Sequence, residues 1–289
     1  MAIAYNPSIV GANSDDLVLH LDAGSKFSIP NRTENTQQQW LDLSKYTSGG
    51  APEYNASQPH SPILASGHSY PPFSNAFGGC LLYSDGTKYQ TRCIDSKYFN
   101  DERRVNYTIS IWFQTASSFN ANDSASRGLI TTGDTNSGFH FYHVHNSSFD
   151  RLYIGAHSGS VGPTGSYYDI EPSTWYNATL VLNVNDPNVS SQSDGLQIYV
   201  NGNLIGNHSF KMMVNESEYF YIGGGGDSDL NSSSELYGYG DHSKDLSNYT
   251  SSESKHDGAI SSILMYYRTA LTQLEVKQNF NALRGRYNI

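Results

Sequence analysis

The chain is poor in charged residues and has no long apolar run, and both shortages exclude protein classes. Charged residues make up 15% of its 289 residues, and 27 acidic against 17 basic side chains give a formal net charge of −10. That charge argues against nucleic acid or an anionic membrane as a partner. No apolar run reaches the ~18 residues that a transmembrane helix needs, so membrane insertion is not expected. The first residues also lack the basic and apolar regions of a secretory signal.

Cysteine is equally scarce, with Cys80 and Cys93 as its two positions. Two cysteines do not make a disulfide framework. They flank Asp85-Gly86, a pair typical of tight turns, so we expect strands at residues 80–83 and 89–94 around a hairpin. The two thiols could then face each other across it. Two small buried thiols are the simpler alternative.

What the chain has in abundance is aromatic and small polar residues, including 22 tyrosines and 26 glycines. Such a composition is typical of many short strands joined by polar loops. Alternating or apolar runs predict strands at residues 17–21, 107–115, 128–132, 138–144, 151–156, 176–182, 196–200, 219–222 and 260–267. Asn201-Gly202 is the strongest hairpin signal. Without a fixed-period repeat or strand–helix alternation, the pattern predicts an all-β protein, an antiparallel two-sheet sandwich.

The end of the chain predicts one short helix, residues 272–285. Thr272 is suited to the N-cap position, and Glu275 completes a capping box. Apolar residues at helical spacing mark one face: Val276, Phe280 and Leu283. Gly285 stands where a left-handed C-cap is expected. Because an isolated helix of this length is marginal in water, we expect it to pack on the sandwich.

The domain organisation follows from these elements. Residues 1–15 show neither the strand period nor the helix period of apolar residues, and we expect them to form an N-terminal arm that becomes ordered against a neighbour. Residues 16–289, including the helix, are predicted to form one domain, since all-β sandwiches often reach about 200–250 residues.

Two patterns suggest metal ligands. His143-Val144-His145 places two imidazoles on one strand face, and neutral imidazole suits transition metals. Asp227, Asp229 and Asn231 are spaced like the start of a calcium loop. The alternatives are a hydrogen-bonded sheet face and a solvated acidic loop. We expect no resident cofactor, with Ca²⁺ as a candidate ion.

A long loop, residues 227–255, carries the strongest binding-surface composition. Tyr237, Tyr239 and Tyr249 stand there among Gly, Ser and Asn. Tyrosine gives a large contact area at low entropic cost, and Ser and Asn add hydrogen bonds. We interpret these tyrosines as candidate ligand-binding residues. A solvated loop is the alternative.

Catalytic patterns are lacking. A glycoside hydrolase needs two carboxylates facing one cleft. Glu216-x-Glu218 has a suitable spacing but stands before a strand without a third acid. The chain has no Gly-x-Ser-x-Gly elbow and no P-loop. The sequence therefore predicts that the protein is not an enzyme.

Several segments, in order and spacing, resemble one family along nearly the whole chain. They are residues 1–6 (MAIAYN), 17–24 (LVLHLDAG), 40–44 (WLDLS), 108–113 (TISIWF), 196–202 (LQIYVNG) and 278–287 (QNFNALRGRY). The set resembles laminin-G-like (concanavalin A-like) virion proteins of tailed phages, especially marine cyanobacterial phages. The resemblance implies a jelly-roll sandwich located in the virion. The family's Asp-Gly-x-Asp-Asp turn is replaced by Asp85-Gly86-Thr87-Lys88-Tyr89, which keeps Asp85 but lacks the two later carboxylates, and this argues against the family's calcium site.

The resemblance implies a non-enzymatic virion structural protein, a capsid decoration or other appendage. Its expected partners are other capsid or tail proteins, further copies of itself and, as a second role, host cell-surface glycans. The alternative function is a carbohydrate-binding module of a tail fibre or spike that recognises the host receptor. A polysaccharide hydrolase is a more distant third.

Overall fold

The computed structural model describes residues 8–11, 16–37, 39–44, 63–64, 69–83, 91–94, 106–118, 125–132, 137–146, 149–158, 163–184, 194–210, 219–223 and 256–289. Within them the chain forms two antiparallel sheets and one α-helix, α1 (Gln273–Leu283). The predicted all-β sandwich with a short C-terminal helix is confirmed. No helix in this described part is long and apolar enough to cross a membrane.

The strands are numbered along the chain. They are β1 (Leu17–Asp22), β2 (Ile63–Leu64), β3 (Phe73–Ser74), β4 (Cys80–Tyr83), β5 (Thr91–Ile94), β6 (Tyr107–Thr115), β7 (Ala125–Thr132), β8 (Ser137–Asn146), β9 (Phe149–Ser158), β10 (Pro163–Asp169), β11 (Trp175–Asn183), β12 (Asp194–Val200), β13 (Asn203–Phe210), β14 (Tyr219–Ile222) and β15 (Gly258–Tyr267). The eight-stranded sheet has the order β13-β12-β11-β6-β15-β4-β3, with β1 also paired to β15. The seven-stranded sheet has the order β10-β9-β8-β7-β14-β5-β2.

The core lies between the two inner faces, and strand alternation decides which residues enter it. Ile109, Ile111 and Phe113 of β6 are fully buried in it, as the alternation predicts. The hairpin between β12 and β13 is also confirmed. Asn201 and Gly202 both have positive φ, 50° and 72°, as a type I′ turn requires.

The hairpin predicted around Asp85-Gly86 is wrong. Both strands exist, but β4 pairs with β3 and β15 in one sheet, whereas β5 pairs with β2 and β14 in the other. Leu81 of β4 enters the core opposite Ile260 of β15, and this long-range pairing overrides the local turn signal. Cys80 is a buried free thiol, and burial raises its pKa to about 11. The side chain of Cys93 lies outside the described residues.

Helix α1 begins as predicted and ends differently. Thr272 Oγ1 accepts a hydrogen bond from Glu275 N–H, and Glu275 Oε2 accepts one from Thr272 N–H at 2.8 Å, which completes the capping box. The predicted left-handed cap at Gly285 is wrong. The residue after the helix, Arg284, is right-handed, and a 3₁₀ turn follows over Arg284–Arg286. This tight turn brings Arg286 back to Asp22, with Nη1 2.8 Å from Oδ1.

The helix covers the outer face of the eight-stranded sheet through aromatic contacts. Phe280 stacks on Trp112 of β6 with ring centroids 5.5 Å apart and planes 6° apart. Beyond the helix, Tyr287 stacks on the same indole at 4.2 Å and contacts Trp175 with tilted rings whose centroids are 4.5 Å apart. The predicted buried face of the helix is confirmed, because Val276, Phe280 and Leu283 are all buried.

A buried side chain of the helix holds the segment 8–11 against this chain. Asn279 Oδ1 accepts a hydrogen bond from Val10 N–H at 2.7 Å, and its Nδ2 donates to Tyr266 Oη at 3.0 Å. Tyr266 Oη donates in turn to the Val10 carbonyl at 2.8 Å, closing a ring. This part of the predicted arm therefore lies on its own helix.

The segment 40–44 runs along β1 and is fixed by one carboxylate. Asp42 Oδ1 accepts hydrogen bonds from the backbone N–H groups of His20 and Ser44 at 2.8 and 2.9 Å. Its Oδ2 accepts from Ser44 Oγ at 2.7 Å. Burial raises the pKa of Asp42 to about 6, although these hydrogen bonds favour the charged form.

Phe280→Ala is expected to lower the free energy of unfolding by about 3–5 kcal/mol, because truncating a buried Phe leaves a cavity. Thr272→Ala removes the N-cap and should lower it by about 1 kcal/mol. Lys277→Ala, at an exposed position, is the control and should change it by less than about 0.5 kcal/mol. Urea unfolding measures all three. An unchanged midpoint for Phe280→Ala would mean that the helix face serves another chain.

The pKa of Asp42 predicts a pH dependence of stability. An unfolded Asp titrates near ~3.9, so between pH 4 and 6 the folded state binds more protons, and stability falls as pH rises through this window. Two units of pKa correspond to at most about 3 kcal/mol. Asp42→Asn keeps the acceptor oxygen without the charge. Urea unfolding at pH 4 and 7 measures the difference in the free energy of unfolding between Asp42→Asn and the wild type. This difference should shift in favour of Asp42→Asn as pH rises, and a pH-independent difference would contradict the prediction.

Candidate functional site

Most of the site residues predicted from sequence lie outside the described residues. These are Tyr237, Tyr239 and Tyr249 of the tyrosine-rich loop and Asp227, Asp229 and Asn231 of the calcium-like pattern. Their roles stay predictions.

The His143-x-His145 pattern falls on β8, and one imidazole can be placed. His143 is buried opposite Leu152 on the inner face of the seven-stranded sheet, and its Nε2 lies 3.3 Å from Asp150 Oδ1. The side chain of His145 is not among those described. In the described part of the chain, no three His, Cys, Asp or Glu residues are grouped to hold a metal. His143 is therefore a histidine beside a carboxylate, and its role as a metal ligand stays a prediction.

A row of tyrosines crosses the outer face of β8, β9 and β10. The sheet register sets Tyr142 opposite Tyr153, and Tyr153 opposite Tyr167. Because Leu152 and Ile154 point into the core, Tyr153 between them points outward, and its two partners share that face. Neighbouring strands lie about 4.8 Å apart, so the three side chains stand next to one another. We call these three residues the tyrosine row.

Two glycines beside the row make room for its central ring. Gly155 of β9 and Gly165 of β10 are directly paired. A Cβ on Gly155 would lie 2.3 Å from Tyr153 Oη, and one on Gly165 would lie 2.8 Å from it. The Tyr153 ring therefore lies over the glycine pair. Tyr142 and Tyr153 are buried, whereas Tyr167, whose ring centroid is 5.1 Å from that of Tyr153, is 40% exposed.

An exposed ion pair lies on the other side of the row. Arg151 of β9 is paired with Asp169 of β10, and Arg151 Nε lies 2.7 Å from Asp169 Oδ1. The guanidinium is also 4.6 Å from the centroid of the Phe149 ring. We call Phe149, Arg151, Tyr167 and Asp169 the β9–β10 strip.

The strip combines three kinds of contact on a rigid support. Tyr167 offers an exposed ring, Arg151 offers several N–H donors, and the Asp169 carboxylate accepts hydrogen bonds. The opposite charges of the pair leave the strip with no net charge. Such a surface can hold the apolar face of a polar, uncharged ligand while hydrogen-bonding its edge.

Sequence reasoning missed this strip for a physical reason. The residues of the tyrosine row are far apart in sequence, and only strand register brings them together. The strand β10 was also not predicted. The adjacent Tyr167 and Tyr168 were a usable signal, since tyrosine is enriched in strands.

Comparison with solved structures finds the same architecture elsewhere. The binding domain of botulinum neurotoxin serotype G matches with a TM-score of 0.56 and 14% identity over 91% of this chain and 50% of its own. The binding domain of botulinum neurotoxin DC in complex with SialylT matches at 0.52 and 14% identity, over 93% and 51%. Domain 4 of a GH43 extracellular arabinanase from Geobacillus stearothermophilus, in complex with arabinotriose, matches at 0.50 and 12% identity, over 91% and 98%.

These identities show a shared β-sandwich fold and no closer relationship. The chain spans about half the length of the neurotoxin binding domains that it matches. No family model and no curated protein sequence matches the chain.

Gly165→Ala is expected to lower the free energy of unfolding by about 1–3 kcal/mol, the usual effect of overpacking. The new methyl group would meet the Ile154 carbonyl at 2.3 Å and displace the Tyr153 ring. Gly285→Ala is the matched control, because a Cβ there meets nothing within 4 Å. Thermal unfolding of both variants tests the glycine pair, and equal melting temperatures would contradict the described packing.

Proposed function

We propose that this protein is a non-enzymatic glycan-binding module and that the β9–β10 strip is its binding site. The observation that carries the proposal is the exposed Tyr167 ring beside the Arg151–Asp169 pair. An aromatic ring can stack on the apolar face of a sugar, and a donor and an acceptor beside it can bind sugar hydroxyls.

The strands that carry the strip hold its side chains in place for ligand binding. Its residues stand on neighbouring paired strands, and sites built on strands are held more precisely than sites on loops. Tyr153 packs beside Tyr167 on the same face and limits its movement. A ring fixed in advance loses little conformational entropy on binding.

The named neighbours support a binding role. One was solved with arabinotriose and another with SialylT, and several are described as binding domains. Since the shared fold alone does not define a function, the chemistry of the strip carries the argument.

The distribution of carboxylates supports a non-enzymatic role. Hydrolysis of a glycosidic bond generally needs two carboxyl groups flanking one bond. Asp169 is ion-paired with Arg151. Asp150, the next carboxylate along β9, belongs to the opposite face of the sheet and lies beside His143. In the described residues, the strip thus has one carboxylate where hydrolysis needs two.

We further propose that the module is carried on a phage particle, as a capsid decoration or appendage or as part of a tail fibre or spike. The family-like segments from residues 1–6 to 278–287 support this location. The partners would be capsid or tail proteins and host-surface glycans. Electron microscopy of particles labelled with an antibody to the protein would test it. Label on the shell supports decoration, label on the tail supports host attachment, and unlabelled particles contradict the proposal.

Glycan binding can be tested with an array, followed by calorimetry on each glycan that binds. Tyr167→Ala and Arg151→Ala should each weaken binding at least tenfold, which corresponds to ~1.4 kcal/mol. Phe27→Ala is the matched control, because Phe27 is a 69% exposed aromatic residue in the segment after β1 and should be dispensable. Both site variants should keep the wild-type melting temperature within a few degrees.

Two results would count against the strip. If the wild-type protein binds no glycan on the array, the glycan-binding function is wrong. If it binds a glycan that Tyr167→Ala binds equally well, the site is elsewhere, and Tyr237→Ala then tests the tyrosine-rich loop.

A further inference from the structure

One edge strand of each sheet lies beside an edge strand of the other sheet, and these two strands differ in their residue types. β13 is the outermost strand at one end of the eight-stranded sheet, and β10 is the outermost strand at one end of the seven-stranded sheet. An outermost strand presents unpaired backbone N–H and C=O groups that can pair with another chain. Proteins block such edges with proline, charged side chains, β-bulges or short strands.

β10 carries a proline and an ion-paired charge, and β13 carries neither. The one irregularity of β13 is a bulge at Ile205, and residues 206–210 beyond it pair regularly with β12. β10 begins at Pro163 and ends at Asp169, whose carboxylate is paired with Arg151. β13 reads NLIGNHSF over eight residues, without proline, lysine, arginine, aspartate or glutamate. Leu204, near its start, is 43% exposed. The longer of the two edge strands is therefore also the one without proline or ionised side chains.

The contact between the two strands is made by their inner faces. A Cβ on Gly206 would lie 1.9 Å from Ser166 Oγ, so the missing side chain lets the sheets approach closely. Ser166 Oγ lies 2.8 Å from Nε2 of His208, which keeps this imidazole on the inner side. Burial also lowers the pKa of His208, which favours its neutral form. Asn203, Asn207 and Ser209 are exposed, and within the described residues β13 pairs with β12 alone.

We infer that β13 pairs with β13 of a second copy, antiparallel about a two-fold axis, and joins two eight-stranded sheets into one. The partner follows from charge. Two copies of a chain with net charge −10 repel each other over much of their surfaces, whereas an edge without ionised side chains brings no like charges together. Antiparallel strands exchange hydrogen bonds symmetrically, so one strand is complementary to itself under a two-fold axis.

The dimer has a consequence for ligand binding, which rests on the proposed function. Because β10 lies beside β13, the β9–β10 strip of each copy lies on the side of the sandwich where the copies meet. A dimer then carries two strips. Where both reach one polymeric ligand, the apparent affinity can rise by about 10²–10⁴. The dimer itself does not depend on glycan binding, and its test uses no glycan.

Sedimentation velocity of the full chain, from about 1 to 100 µM, tests the inference over the range that separates weak from stable dimers. We expect a dimer for the wild type. Leu204→Lys places a charge on the edge and should raise the dissociation constant at least tenfold. Leu274→Lys is the matched control, because it makes the same change at an 80% exposed leucine on the helix and should leave the dimer intact. Asn207→Lys, a second edge variant, should act like Leu204→Lys.

Hydrogen exchange provides a readout specific to the strand. Amides within residues 203–210 should be more protected at high than at low protein concentration in the wild type, and this difference should vanish in Leu204→Lys and Asn207→Lys. Wild-type melting temperatures show that the variants fold. The inference is overturned by a monomeric wild type, by a dimer that survives in both edge variants, or by a dimer that Leu274→Lys dissociates.

Discussion

The fold depends on covering the outer face of the eight-stranded sheet. Trp112 and Trp175 point out of the sandwich there, so large apolar surfaces would meet water without a cover. Phe280 and Tyr287 stack on Trp112, and Tyr287 also contacts Trp175. The Arg286–Asp22 ion pair fixes the tail that carries Tyr287. The helix is thereby a third layer of the domain, and the exposed strip lies on the other sheet.

Features that depend on residues near one another in sequence could be predicted. The alternation of Ile109, Ile111 and Phe113 defined the buried face of β6, because side chains alternate along a strand whatever its partners are. The turn at Asn201-Gly202 and the capping box of Thr272 and Glu275 depend on neighbouring residues alone. Each of these features was confirmed by the structure.

Contacts between distant segments made the rest unpredictable. The pairing of β4 with β15 overrode the turn signal at Asp85-Gly86, and the contact of Arg286 with Asp22 overrode the C-cap signal at Gly285. The tyrosine row exists only through the register of three strands. Sequence reasoning therefore identified the architecture, whereas the candidate site required the arrangement of strands.

The ring of hydrogen bonds among Val10, Asn279 and Tyr266 has a consequence for protein engineering. It sets a segment near the beginning of the chain beside one near its end, on the face opposite the β9–β10 strip. Domains with neighbouring ends tolerate circular permutation and insertion into a host loop. A scaffold joined at these two segments would therefore display the strip on its far side.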